Sequence, residues 1–171
     1  QDNAIIYSRE NQSVPLPEVD DYFSQFGDLV CAGLARAGYS ECRGKNMANH
    51  PPWRTDLITW QKYFENWIRN AEPEELLKFS IFFDFRPVYG NIELARSLRQ
   101  FIHQALTDQP AFFPHLAQNA LQFKPPTRLP GKIYLSSGTE HSGQINLKDA
   151  MMPVVDFARL YALQHQISQT N

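Results

Sequence analysis

One carboxylate stands inside an apolar run, at Asp84 in Phe79-Ser80-Ile81-Phe82-Phe83-Asp84-Phe85. An ionised carboxylate among phenylalanines is costly to bury unless a cation meets it. Arg86, two residues on and so on the same face of an extended chain, would supply a structural pair, whereas a divalent metal ion would make the position a ligand. A second carboxylate, Asp2, precedes the apolar stretch Ala4-Ile5-Ile6-Tyr7, where it could project from the edge of a strand into a cleft. The segment Gly44 to Arg54 then gathers the donors Lys45, Asn46 and Arg54 beside the ring of Trp53. Such a set suits a phosphate-bearing ligand with a planar base, and it suits equally a surface loop pinned by Trp53 in the core.

Other chemistries find no footing. The chain has no Gly-x-x-x-x-Gly-Lys-Ser/Thr, Gly-x-Gly-x-x-Gly, His-Glu-x-x-His or Gly-x-Ser-x-Gly motif. Cys31 and Cys42 form neither a CxxC pair nor a zinc spacing, and His50, His103, His115, His141 and His165 are scattered as surface or packing residues. Asn11-Gln12-Ser13 matches the glycosylation pattern, which matters only in a secreted chain. With 171 residues, 43% apolar, the chain can build a real core, and a formal charge of −2 gives no overall field for nucleic acid or anionic lipid. No apolar run approaches the ~20 residues of a membrane span. A soluble, cytoplasmic protein without nucleic-acid or membrane partners is expected.

The elements that would position these residues are mostly helices. Both ends of the sequence read as cut from a longer parent: the first strand has no preceding element, and the chain stops eight residues after the helical stretch Val154–Leu163. A helix should begin near Pro17 and end at Gly38, burying Val19, Tyr22, Phe23, Phe26, Leu29, Val30, Leu34 and Ala37 along one face. Tyr39 to Arg54 holds no period and makes a long structured loop or short hairpin. Thr55 can cap a second helix with the core stripe Trp60, Phe64 and Trp67, and Pro73 starts a short helix through Leu77. Phe79–Phe85 then has the length and composition of a strand covered on both faces. Asn91 caps a third long helix and Pro110 opens a fourth; Lys132–Leu135 and Gln144–Lys148, separated by Gly138–Gly143, suggest a β-hairpin, and Pro153 opens the last helix.

An ordered set of residues carries a resemblance. It comprises Gln1-Asp2-Asn3-Ala4-Ile5-Ile6; Gly38-Tyr39-x-x-Cys42-x-Gly44-x-x-Met47-Ala48-Asn49-x-Pro51-x-Trp53-Arg54; Trp60-x-x-x-Phe64-x-x-Trp67-Ile68; and Ile81-Phe82-Phe83-Asp84-Phe85-Arg86-Pro87-Val88-Tyr89-Gly90. The set resembles the nucleotidyltransferases of the domain-of-unknown-function 294 family, related to bacterial PII uridylyltransferases. Ile145–Lys148 with Pro153–Arg159 looks like that family's C-terminal substrate-binding domain. The chain departs from the family pattern at Cys42-Arg43-Gly44-Lys45, where a proline and a second small residue are commoner.

The resemblance implies a polymerase-β-like core in which a Gly-Ser motif and an Asp-x-Asp pair hold a nucleotide and two divalent metals, Mg²⁺ or Mn²⁺. The family's run reads Asp-Gln-Asp-Asn-Ala, which makes Asp2 the second carboxylate of the pair and places the first carboxylate and the Gly-Ser motif upstream. Asp84 becomes the candidate third acidic position, and Arg86 a phosphate contact or a support for Asp84. Lys45, Asn46 and Arg54 are the candidate substrate-binding residues. Upstream regulatory domains, cyclic-nucleotide-binding and paired CBS domains, are implied in the parent.

The expected fold is therefore an α/β fragment of a polymerase-β-like nucleotidyltransferase core over residues 1–72, joined to a mainly helical C-terminal domain, 73–171, with a small β-hairpin. Strand 79–86 could join the core sheet. The expected function is metal-dependent nucleotidyl transfer from a nucleoside triphosphate to a protein or small-molecule acceptor in signal transduction, with these 171 residues inactive alone. A non-catalytic nucleotide sensor and a protein-interaction module are the alternatives.

Overall fold

The computed structural model describes residues 1–9, 15–122, 127–128, 132–133 and 147–167. The chain forms two units, residues 1–66 with 80–102 and residues 67–79 with 103–171.

The first unit is built on a parallel strand pair. β1 (Ile5–Tyr7) lies beside β2 (Arg54–Asp56), with Ile5 opposite Arg54 and Tyr7 opposite Asp56. Parallel neighbours need a long crossover, and α1 (Leu16–Arg36) supplies it. Pro17 sits in the first turn of α1, where no N–H partner is required. At the other end Gly38, at φ +96°, donates to the Ala35 carbonyl while Tyr39 donates to Leu34, which satisfies the last carbonyls as the expected Gly38 stop requires. Val19, Gly27 and Cys31 are the buried positions of α1; Tyr22 and Leu29, expected on the buried face, are exposed.

The long loop after α1 ends in a single 3-10 turn, Pro51–Trp53, and then β2. Its last strand residue, Asp56, caps α2 (Leu57–Asn70) by accepting from the Thr59 backbone N–H at 2.9 Å. The cap is therefore Asp56 and not Thr55, which lies within β2. Asp56 is buried and also meets Arg9, Nε to Oδ2 at 3.1 Å. Trp60 and Phe64 are buried as expected, and the Trp60 indole donates to the Ile5 carbonyl, which fastens α2 to β1.

The expected strand at 79–86 is a helix end. α3 runs Pro73–Phe82, and Phe83–Asp84 form a bend. A short apolar run does not distinguish a buried strand from a buried helix segment. Here Pro73 at the start, Glu74 and Glu75 in the positive first turn, and the 2.7 Å Glu74–Lys78 pair nucleate a helix, and extending it through the phenylalanines costs little. No strand from this segment joins the β1–β2 pair. α4 (Ile92–Asp108) begins as expected, with the Asn91 side chain accepting from the Glu93 N–H at 3.0 Å.

In the second unit α5 (Phe112–Ala120) packs on α6 (Leu147–Gln164). Trp67, Ile68, Leu76, Phe79, Leu106, Phe112, Leu116 and Leu163 are buried, with Phe79 and Phe112 edge to face at 4.7 Å. A hairpin exists, but β3 (Thr127–Arg128) and β4 (Lys132–Ile133) form it. Leu147 and Lys148, expected in its second strand, instead open α6, so Pro153 lies inside that helix instead of starting it. Asn11–Ser13, Pro125–Pro126, Pro130–Gly131, Tyr134–Leu135, Gly138–Gly143, His141 and Gln144–Asn146 lie outside the described residues. Among the described residues no helix is long and apolar enough to cross a membrane.

Candidate functional site

The residues leading into β1 alternate as an extended chain must: Gln1 and Asn3 are half-buried, Asp2 and Ala4 exposed. The Asn3 backbone donates to the Asn46 carbonyl at 3.1 Å. Its side-chain oxygen accepts from the Ala48 N–H at 2.9 Å and from the Cys31 thiol at 3.5 Å. Gln1 donates to the Cys31 carbonyl at 3.1 Å. Asp2 is thus carried on a segment bound on one side to α1 and on the other to the loop.

That loop packs closely on α1. A Cβ at Gly27 would lie 2.5 Å from the Ala48 carbonyl oxygen, so only glycine lets the backbones approach this far. Met47 and Ala48 are buried with Cys31, and Ile5 and Cys42 pack against them. Lys45 turns the chain at φ +59°, a left-handed conformation costing about 1–2 kcal/mol for a non-glycine residue. Its carbonyl accepts from the Trp53 indole N–H at 2.9 Å. The Trp53 ring packs on Phe82 at 4.3 Å and on Trp60 at 6.0 Å, so Trp53 pins the loop to the core. The Asn46 amide reaches back to the Cys42 sulfur at 3.7 Å. The Arg54 guanidinium donates to the Asn49 carbonyl at 2.7 Å, and the Asn49 side-chain oxygen is buried with no hydrogen-bond partner.

The structure therefore ties the lead-in that carries Asp2 to the loop that carries Lys45 and Asn46, at the amino-terminal end of the parallel pair, where Arg54 opens β2. Asn3 touches the loop at Asn46 and Ala48, and Ile5 stands opposite Arg54. Asp84 and Arg86 follow Phe82 beyond α3, and both are exposed. Asp84 is accordingly not a buried carboxylate, and its negative charge acts on Arg99. Arg99 bonds the Phe85 carbonyl and lies over the Phe85 ring at 4.6 Å. Burial lowers the Arg99 pKa from its ordinary value, and the negative charge of Asp84 works in the opposite direction. Among the described residues no three His, Cys, Asp or Glu side chains converge as a metal site.

Sequence reasoning passed over Asn3 and Asp56. An asparagine in a polar lead-in carries no chemical signal until its partners from distant segments are known. Asp56 had a local signal, since Asp-Leu-Ile-Thr is as good a helix start as one headed by Thr55.

A family model described as "Putative nucleotidyltransferase DUF294" matches residues 1–74, and one described as "Putative nucleotidyltransferase substrate binding domain" matches residues 110–171. No curated protein and no solved structure matches the chain.

Proposed function

Because the chain belongs to the DUF294 nucleotidyltransferase family, we propose that it forms part of a site transferring a nucleotidyl group from a nucleoside triphosphate to a protein or small-molecule acceptor. The observation that carries this reading is the exposed carboxylate of Asp2 on a lead-in fastened through Asn3 to the loop that carries Lys45 and Asn46. Hard carboxylate oxygens with open access suit Mg²⁺ or Mn²⁺, and Asp2 fits that role. A divalent cation bound there would offset charge on the phosphate oxygens during in-line transfer. Lys45 is exposed and supplies a mobile positive charge for phosphate. Arg54, tied to Asn49, holds the loop in shape and leaves its remaining donors for the same ligand. Asp84 and Arg86 are proposed as a second acidic and basic contact, with Arg99 setting the backbone at Phe85. Upstream regulatory domains and a role in signalling belong to the same proposal, as does the inactivity of these 171 residues alone, which contain no Gly-Ser dipeptide.

The test uses the full-length protein with Mg²⁺ or Mn²⁺, each of the four labelled nucleoside triphosphates, and a cell extract as acceptor pool. Label transfer lost in both Asp2→Ala and Asp84→Ala supports the reading. Transfer lost only in Asp2→Ala removes Asp84 from the site, nucleotide binding without transfer indicates a sensor, and no binding indicates an interaction module.

A further inference from the structure

We infer that Cys31 and Cys42 are a redox pair: a hydroperoxide oxidises the Cys42 thiol, and the Cys31 thiol then closes a disulfide that loosens the hold of α1 on the lead-in to β1. The inference stands apart from the nucleotidyl-transfer reading. Spacing in the sequence gives these cysteines no motif, but the fold collects both of them, with one of the three methionines, in a single apolar cluster. Cys31 is 2% exposed on α1 beside Met47 and Ala48, and Cys42 packs against that cluster from the loop. Both are free thiols. Their contacts interlock: the Cys42 backbone N–H donates to the Met47 sulfur at 3.4 Å, while the Cys31 thiol and the Ala48 N–H meet at the Asn3 oxygen at 3.5 and 2.9 Å. A bridge needs Cα atoms within about 7 Å. Cys42 lies in irregular chain, held by a turn in which the Lys45 N–H donates to the Cys42 carbonyl at 3.0 Å. The loop can therefore adjust toward Cys31 without breaking a helix or the strand pair.

Exposure sets the order of events. Cys42 is half-buried and Cys31 is shut off from solvent, so an oxidant in solution reaches Cys42 first. The Cys42 thiolate attacks one oxygen of the hydroperoxide; an S–O bond forms, the O–O bond breaks, and the departing oxygen takes up a proton to leave as water or an alcohol. The Cys31 sulfur then attacks the sulfur of the Cys42 sulfenic acid; the S–S bond forms, the S–O bond breaks, and the Cys31 proton leaves with the hydroxide as water. Two electrons have passed from the two thiols to the peroxide. The bridge deprives the Asn3 oxygen of the Cys31 donor, because that sulfur no longer carries a proton, and it draws the Cys42 sulfur away from the Asn46 amide, now 3.7 Å distant. Both contacts belong to the link between lead-in, loop and α1, so oxidation weakens that link.

The test treats the folded full-length protein with hydrogen peroxide, alkylates the remaining thiols, digests with trypsin without reduction and weighs the peptides. Trypsin cuts after Arg36 and Arg43, so Cys31 and Cys42 fall on different peptides. The expected product is the linked pair, two hydrogens lighter than the sum of its parts and separated by dithiothreitol. In Cys31→Ser the link is lost and Cys42 carries a sulfenic acid that dimedone traps. Hydrogen exchange in the peptide holding Ala48 should quicken on oxidation and return on reduction. Both thiols still open to alkylation, Cys42 driven to sulfinic acid with Cys31 untouched, or a link that forms only in urea overturns the pair. A link formed with unchanged exchange overturns the loosening. Should Cys31→Ser fail to fold, the presence or absence of the link in the wild-type protein decides alone.

Discussion

Alanine at Gly27 and alanine at Gly33 set the same substitution against itself on one helix. Both glycines lie within α1, where glycine costs about 0.5–1 kcal/mol relative to alanine. A Cβ at Gly33 would meet nothing nearer than the tip of the Arg36 side chain at 3.9 Å. Gly33→Ala should therefore gain roughly 0.5–1 kcal/mol. At Gly27 the new carbon would stand 2.5 Å from the Ala48 carbonyl oxygen and 2.9 Å from its carbon, and both are backbone atoms. Restoring ordinary contact, which begins at 3.4 Å, requires a retreat of about 0.9 Å. The Ala48 N–H now lies 2.9 Å from the Asn3 side-chain oxygen, and a shift of that size breaks the bond. Overpacking of about 1–3 kcal/mol and a lost hydrogen bond of ~1 kcal/mol outweigh the helix gain, for a net loss of roughly 1–3 kcal/mol. Urea unfolding of both variants reads this directly, and at about 2–4 °C per kcal/mol the melting temperatures should move in opposite directions. A Gly27→Ala protein stabilised as much as Gly33→Ala would refute the close approach of the loop to α1, and with it the geometry that brings Asn46 and Ala48 to Asn3.

Three further outcomes follow from single contacts. Asp56→Ala removes the α2 cap and the Arg9 pair together and should cost about 2 kcal/mol in chemical denaturation, while Asp56→Asn keeps the cap and loses less. Burial raises the Tyr7 phenol above its ordinary value of 10.0, with Arg9 lowering it and Asp20 raising it. The folded state holds that proton more tightly, so the stabilisation is complete below the unfolded value and lost as pH rises through the folded one. An alkaline titration followed by phenolate absorbance should show Tyr7 ionising late, and Tyr7→Phe should remove the component. Burial likewise raises the Asp156 carboxyl, opposed by Arg159 at 3.9 Å. The stabilisation tied to it is full below the ordinary carboxylate range and lost as pH rises through the raised value, so Asp156→Asn should melt higher than wild type at neutral pH and lose that advantage in acid.

Much of the scaffold was legible because its signals are local. Pro17, Gly38, Pro73 and Asn91 act on their own turn of chain, and each starts or ends a helix within a residue or two of the expected place. The core stripe Trp60, Phe64 and Trp67 was legible from its spacing alone. What stayed hidden depends on partners far along the chain. β2 is only Arg54-Thr55-Asp56, polar throughout, and is a strand because β1 lies beside it. The run at Phe79–Phe85 reads as a strand until the helix begun at Pro73 is allowed to continue through it. That misreading also made Asp84 look buried, and its exposure removes the strongest residue-level argument for a charge partner there. In the candidate site, Lys45, Asn46 and Arg54 were legible together as one loop and Asp2 apart from them, and the link between lead-in and loop runs through Asn3, whose contacts span from Cys31 to Ala48.

The central claim is that Asp2 belongs to a nucleotidyl-transfer site. The measurement that tests it most directly is the initial rate of label transfer by the full-length protein and its Asp2→Asn variant, at saturating Mg²⁺, with matched melting temperatures confirming that both are folded. A rate reduced at least about a hundredfold, the scale on which loss of one group stabilising transition-state charge is felt, is the predicted result. Transfer at the wild-type rate by a folded Asp2→Asn protein would contradict it.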